Sequence, residues 1–184
     1  MTEQQPYDVV RSTDHYELRR YPACVVAEVV VDGEFEAAGS LGFRPLLEYI
    51  GGNNRTRESL AMTAPVVQQR KLAMTAPVIQ SPGARGEHVI AFVLPRSVSA
   101  ESAPVPTDTR VRVRELPPSL TAVARYSGRW SESSYRQRVR ELLTAIENDG
   151  WVPVGEPRFA RFDPPFKPWF LRRNEVHIDV AEAR

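Results

Sequence analysis

The sequence predicts an α+β fold: a distorted antiparallel β-barrel built from two pseudo-repeated halves, each with one helix packed on the sheet. Three observations predict it. The order strand–strand–helix–strands occurs twice along the chain. Residues 132–148 carry Tyr135, Val139, Leu142, Leu143 and Ile146 on one face at helical spacing, and a helix apolar on one side must lie on a sheet. Sixteen prolines against ten glycines in 184 residues favour many strand ends and stiff turns over long helices.

Residues 16–21 and 23–31 read as strands broken at Pro22. The second is β-branched and nearly continuous in apolar residues, the pattern of a strand covered on both faces. Residues 35–50 read as a helix with Phe35, Ala38, Gly42, Leu46 and Tyr49 down one side, weakened or kinked by Gly39, Gly42 and Pro45. Residues 60–69, 72–80 and 88–94 read as strands, and 97–108 as a polar, proline-bearing loop. In the second half, 110–115 alternates with period two, and 120–126 is the next strand. Ser131 caps the second helix and Gly150 ends it. Strands at 158–162 and 174–180 finish the chain. One domain over 14–180, with halves of about 14–95 and 110–180, lies between short tails at 1–13 and 181–184.

Charge nearly cancels, with 24 Lys and Arg against 23 Asp and Glu. That argues against a nucleic-acid binder and against electrostatic attachment to an anionic membrane. No apolar run is long enough to span a bilayer, and the N-terminus shows no secretion signal, so a cytoplasmic protein is expected. Cys24 is the only cysteine, which rules out an internal disulfide or a Cys-based zinc site, and it reads as an inert buried thiol. His15, His88 and His177 have no partners at catalytic or metal-ligating spacing. No phosphate loop is present. Neither a catalytic residue nor a metal site is expected.

Two motifs stand out. Leu-Ala-Met-Thr-Ala-Pro-Val occurs at 60–66 and again at 72–78. The copies predict a hairpin looped at 69–71, with Met62 opposite Val78 and Val66 opposite Met74. Methionine at strand spacing reads as core before it reads as a thioether wall for an apolar ligand. The second motif is Asp163-Pro-Pro-Phe-Lys-Pro-Trp-Phe-Leu-Arg-Arg-Asn-Glu-Val176. Its prolines hold an extended loop. Phe166, Trp169 and Phe170 offer aromatic faces, while Lys167, Arg172 and Arg173 offer charge, a combination suited to a flat anionic ligand. The plainer alternative is a loop whose aromatics cap the barrel end while its arginines bond Glu175 or chain carbonyls.

These blocks, with Tyr16-Glu-Leu-Arg-Arg-Tyr21 and residues 43–53, resemble the SOUL heme-binding protein family over about 14–180. The resemblance implies a barrel of two similar halves, also similar to effector-binding domains of bacterial multidrug regulators. It implies reversible, non-covalent binding of heme or free protoporphyrin, for buffering or transport, by a monomer. The porphyrin wall then falls on Phe43, Arg44 and Leu47 of the first helix and Phe166 and Lys167 of the loop. Lys167 and the nearby arginines would meet propionates. Trp169 and Arg172 complete the candidate site. Members that ligate iron through histidine carry it just before the residue matching Tyr21; here that residue is Arg20, which has no lone pair for iron. Two other readings stay open: a module for a hydrophobic cation or lipid-like ligand, and, more weakly, a heme-modifying enzyme.

Overall fold

Residues 3–55 and 69–183 are described by the computed structural model of the chain. Their order is β1 (Glu3–Gln4), β2 (Asp8–Ser12), β3 (Glu17–Tyr21), β4 (Cys24–Val31), α1 (Phe35–Ile50), β5 (Asn54–Arg55), β6 (Thr75–Ala76) and β7 (Val78–Pro82), then β8 (His88–Val93), β9 (Val105–Pro106), β10 (Arg112–Leu116), β11 (Ser119–Tyr126), α2 (Glu132–Asn148), β12 (Trp151–Arg161) and β13 (Asn174–Glu182). Nine of these strands form one sheet in the order β10-β4-β8-β7-β12-β13-β11-β3-β2, antiparallel at each pairing.

Sequence pattern explains how the layers meet. In β4, Val25, Ala27 and Val29 pack under α1, while Val26 joins Ile79, Ala91 and Val93 on the opposite face of the sheet. The strand is therefore covered on both sides, as its apolar run predicts. The second helix lays Leu142 and Ile146 over Leu18, Ala122, Val176 and Ile178. Its Ser131 hydroxyl accepts the Ser134 N–H as an N-cap, and Gly150 beyond its end takes φ +81°. Among the described residues no helix is long and apolar enough to cross a membrane.

The α+β class and the two sheet-packed helices agree with the sequence. The sheet itself stays open, because its edge strands β10 and β2 do not pair with one another. It still curves: Leu116 of β10, Cys24 of β4, Ser119 of β11 and His177 of β13 line one small cavity.

Other elements differ from expectation. The segment read as an N-terminal tail supplies β2, which forms the sheet's edge against β3. The helix α1 runs without interruption through Gly39, Gly42 and Pro45, because packing on β4 and β8 outweighs local propensity. Gly42 is the point of close approach: a Cβ there would lie 2.5 Å from the Ile90 Cβ. Gly42→Ala is expected to cost about 1–3 kcal/mol through overpacking, measurable as a lower urea midpoint; an unchanged midpoint would show that α1 is not seated this closely.

β12 begins seven residues earlier than the strand expected at 158, despite Pro153, Gly155 and Pro157. A register break between Val154 and Arg158 absorbs Gly155 and Pro157, while Pro153 stays paired with Val180. Within the methionine repeat, Val78 has Phe92 of β8 on one side and Arg161 of β12 on the other. Met62 and Val66 lie outside the described residues. Met74 is half-buried against the core under α1, and Thr75–Ala76 pair with β1.

Candidate functional site

The loop between β12 and β13 is fastened at its base and apolar at its tip. Asp163 is its anchor: one carboxylate oxygen accepts from Lys167 Nζ at 2.6 Å and the other from the Arg173 N–H at 2.5 Å. Burial alone would raise the Asp163 pKa, but the Arg173 N–H and Lys167 together hold it below the usual carboxylate range. The Arg172 guanidinium donates to the carbonyls of Lys167 and Pro165. Arg173 pairs with Glu175 at 2.7 Å. Arg172 and Arg173 thus make the bonds of the plainer alternative, to chain carbonyls and to Glu175, and Lys167 closes the base of the loop.

The aromatics behave otherwise. Phe166 is 86% exposed, Phe170 58%, Leu171 57% and Trp169 47%. They do not cap the end of the sheet. Three prolines and the hydrogen bonds of Asp163, Lys167 and Arg172 fix a backbone whose large apolar side chains face outward. Arg129 lies 5.5 Å from the Trp169 ring centroid, and Phe170 meets that ring edge-on.

On α1, Phe43 is half-buried with its ring against Phe92 at 5.3 Å. Leu47, one turn further on, is exposed. Arg44 is exposed and, among the described residues, bonds only Glu48 in an i,i+4 pair. The face thus offers one seated aromatic edge, one free aliphatic group and one solvent-screened cation.

What lies between helix and loop was not read from the sequence. Arg172 and Arg161 both sit over the Trp130 ring, at 4.3 and 4.9 Å from its centroid. Trp130 Nε1 donates to Asn174 at 2.9 Å, which fixes the indole. The Arg161 guanidinium lies against α1 where Gly39 leaves room for it; a Cβ at Gly39 would fall 2.0 Å from its Nη1. Its Nη2 donates to Gln80 at 2.5 Å, while its Nε is buried without a partner among the described residues. Burial pulls the Arg161 pKa down to about 10. No motif announces Arg161; the only hint is a cation at a position in β12 that alternation places on the helix face.

The buried polar cluster lies on the other side of the sheet. Glu175 accepts from Arg19 at 2.9 Å, Arg173 at 2.7 Å and His177 at 2.9 Å. His177 also stacks on Tyr21. A cavity of about 280 Å³ on this side is lined by Cys24, Thr75, Val93 and Val98. None of the seven residues predicted for the site borders it. Its volume falls at the lower limit of ordinary small-ligand pockets, roughly 300–1,000 Å³, too small to take a tetrapyrrole ring. Cys24 is half-buried there and accepts from the Gln5 amide; burial pushes its thiol pKa up, so the thiol is neutral. Among the described residues no group of three His, Cys, Asp or Glu side chains could hold a metal ion.

Residues 2–179 match the sequence profile of a family described as SOUL heme-binding protein. The chain belongs to this family. It is 25% identical over 162 residues to heme-binding protein 1 of Xenopus laevis, covering 88% of this chain and 81% of that protein. It is 24% identical over 184 residues to heme-binding protein 2 of Mus musculus, covering 95% and 86%. Among solved structures, the C-terminal domain of EcmrR superposes with a TM-score of 0.67 at 13% identity, covering 96% of this chain and 99% of that one. A hydrolase from Listeria innocua gives 0.60 at 10% identity, covering 94% of each. At such identities these two likenesses concern the fold alone.

Proposed function

We propose that this SOUL-family protein binds heme or free porphyrin reversibly and without covalent attachment, as a cytoplasmic monomer that buffers or transports tetrapyrrole. The observation that carries this reading is the stiffened loop that presents Phe166 and Trp169 to solvent. Holding large apolar groups in water gains nothing for the free protein, whereas a flat apolar ring laid on them removes that surface from water at roughly 25 cal/mol per Å². On this reading Phe43 and Leu47 of α1 supply a second apolar wall. The names of the relatives, heme-binding proteins 1 and 2, point the same way.

Iron contributes little to affinity on this reading. His177 is buried and bonded to Glu175, His88 meets Phe35 edge-on at 6.0 Å, and His15 is exposed in the turn before β3. Iron-free protoporphyrin is therefore expected to bind within about tenfold of hemin, a difference of roughly 1.4 kcal/mol, in parallel Soret titrations. Each single histidine-to-alanine variant should leave the Soret maximum in place. A six-coordinate spectrum abolished by one of them, or far tighter binding of hemin than of the metal-free ring, would sink the proposal.

A module for hydrophobic cations is the second reading. It needs a buried carboxylate left unpaired, and Glu175 does not meet that need, since two arginines and a histidine already occupy it.

A further inference from the structure

We infer that Arg161, cradled between Gly39 of α1 and Trp130, is the anchor of an anion subsite that takes one carboxylate of the bound ligand. The inference rests on the tetrapyrrole reading for the rest of that ligand; the anion chemistry stands on its own observations.

Arg161 is 7% exposed, yet among the described residues no carboxylate pairs with it. The other deeply buried arginine, Arg19, is paired with Glu175. Glu36 is the carboxylate whose charge Arg161 feels, and that side chain is engaged in accepting the Glu132 N–H at 2.9 Å. Among the described residues a single neutral amide, Gln80, is the only hydrogen-bond acceptor the guanidinium has, and its Nε has none. A buried cation with neither a counter-ion nor a full set of acceptors is costly, and an incoming anion relieves both deficits.

The setting directs what that anion belongs to. Trp130 and Phe159 give Arg161 aromatic surfaces at 4.9 and 5.0 Å, and Arg172 approaches the same indole. The two guanidiniums repel each other, and an anion close to both would be attracted by both charges. Gly39 precedes Phe43 by one helical turn, so the subsite lies at the end of the α1 wall proposed for the ring. Lys167, the residue first expected to meet a propionate, is already occupied by Asp163. A carboxylate attached to a flat apolar body is the ligand chemistry that satisfies Arg161 while its ring covers Phe43.

The test compares hemin with hemin dimethyl ester, which keeps the ring and iron but has no carboxylates. Arg161→Gln should weaken hemin by about tenfold or more in a Soret titration while leaving the ester within about twofold. Arg161→Lys should retain most of the hemin affinity. Gly39→Ala, which displaces the guanidinium without removing its charge, should weaken hemin but not the ester, and it serves if Arg161→Gln does not fold. In parallel, benzoate at constant ionic strength should raise the unfolding temperature of the wild type but not of Arg161→Gln. Equal loss of hemin and ester, or no loss of hemin, would show Arg161 to be packing only. If the wild type bound neither hemin nor ester, the tetrapyrrole reading would fail. The benzoate shift would then decide alone: its loss in Arg161→Gln upholds the anion subsite, and its absence from the wild type overturns it.

Discussion

Glu175→Gln is expected to lower stability by about 3–5 kcal/mol at neutral pH, although it changes neither the size nor the shape of the side chain. Glu175 is fully buried, and its carboxylate is shared by Arg19, Arg173 and His177. Arg19 is itself buried, and removing the charge strands it. Burial by itself would raise the Glu175 pKa, but hydrogen bonds and charge from His177 and Arg19 outweigh it and hold the carboxyl down at about 2. The folded-state value is thus depressed below the unfolded one near 4.5. The stabilisation is full above that unfolded value and is lost as pH falls toward 2, an effect on the order of 3 kcal/mol. Burial also pulls His177 below its ordinary value against the attraction of Glu175, so protonation of the unfolded chain adds to the loss below about pH 6.5. Urea midpoints measured from pH 7 to pH 3 check both claims. The wild type should lose stability steeply at the acid end, and Glu175→Gln should start lower and fall less. A variant within about 1 kcal/mol of wild type at pH 7 would mean that the cluster contributes little net stability.

This cluster shows which part of the molecule could be read in advance. The strands and helices were legible because their apolar positions recur with period two or 3.6, and that pattern survives in a single sequence. Hence the predicted helix over 35–50 and the observed α1 coincide. The Arg19–Glu175 pair spans 156 residues, and nothing local ties its members. Only the pairing of β3 with β11 and of β11 with β13 brings them together. Pairing choices were equally hidden in the methionine repeat. Its second copy has strand chemistry, but local sequence cannot tell that β8 and β12 take the edges at Val78.

The candidate site divides along the same line. Aromatic character and proline stiffness in the 163–173 loop are local properties, and they led to Phe166 and Trp169. Whether Lys167 is free for a ligand depends on how the loop folds back on Asp163, and the structure uses it there. Trp130 and Arg161 stand in no motif; β12, the turn between β11 and α2, and the loop each contribute one residue to their stack.

Residues 1–100 and 101–184, expressed separately, are each expected to lack a cooperative unfolding transition. The two halves repeat an order of elements, but they do not own separate cores. β3 comes from the first half and pairs with β11 of the second; β10 comes from the second and pairs with β4 of the first. Leu18 of β3 is buried under α2, and Ala103 and Val111 are buried under α1. Cutting the chain therefore removes side chains from the middle of both clusters. Each fully buried residue of that size is worth about 1.5–3 kcal/mol, and a domain's whole margin is about 5–15 kcal/mol. The cut also opens the sheet at its centre, where β7 pairs with β12 from Val78–Arg161 to Gln80–Phe159. It parts Phe35 from Tyr135 and Phe159, rings stacked at 5.1 and 5.5 Å across the junction. Far-ultraviolet circular dichroism during heating tests the expectation directly. Broad, featureless melts from both fragments, with a sharp transition recovered on mixing them, would fit an interleaved core. A native-like cooperative melt from either fragment alone would show that a half can complete its own core, and the exchange of β3 and β10 would then be a late docking step rather than a condition of folding.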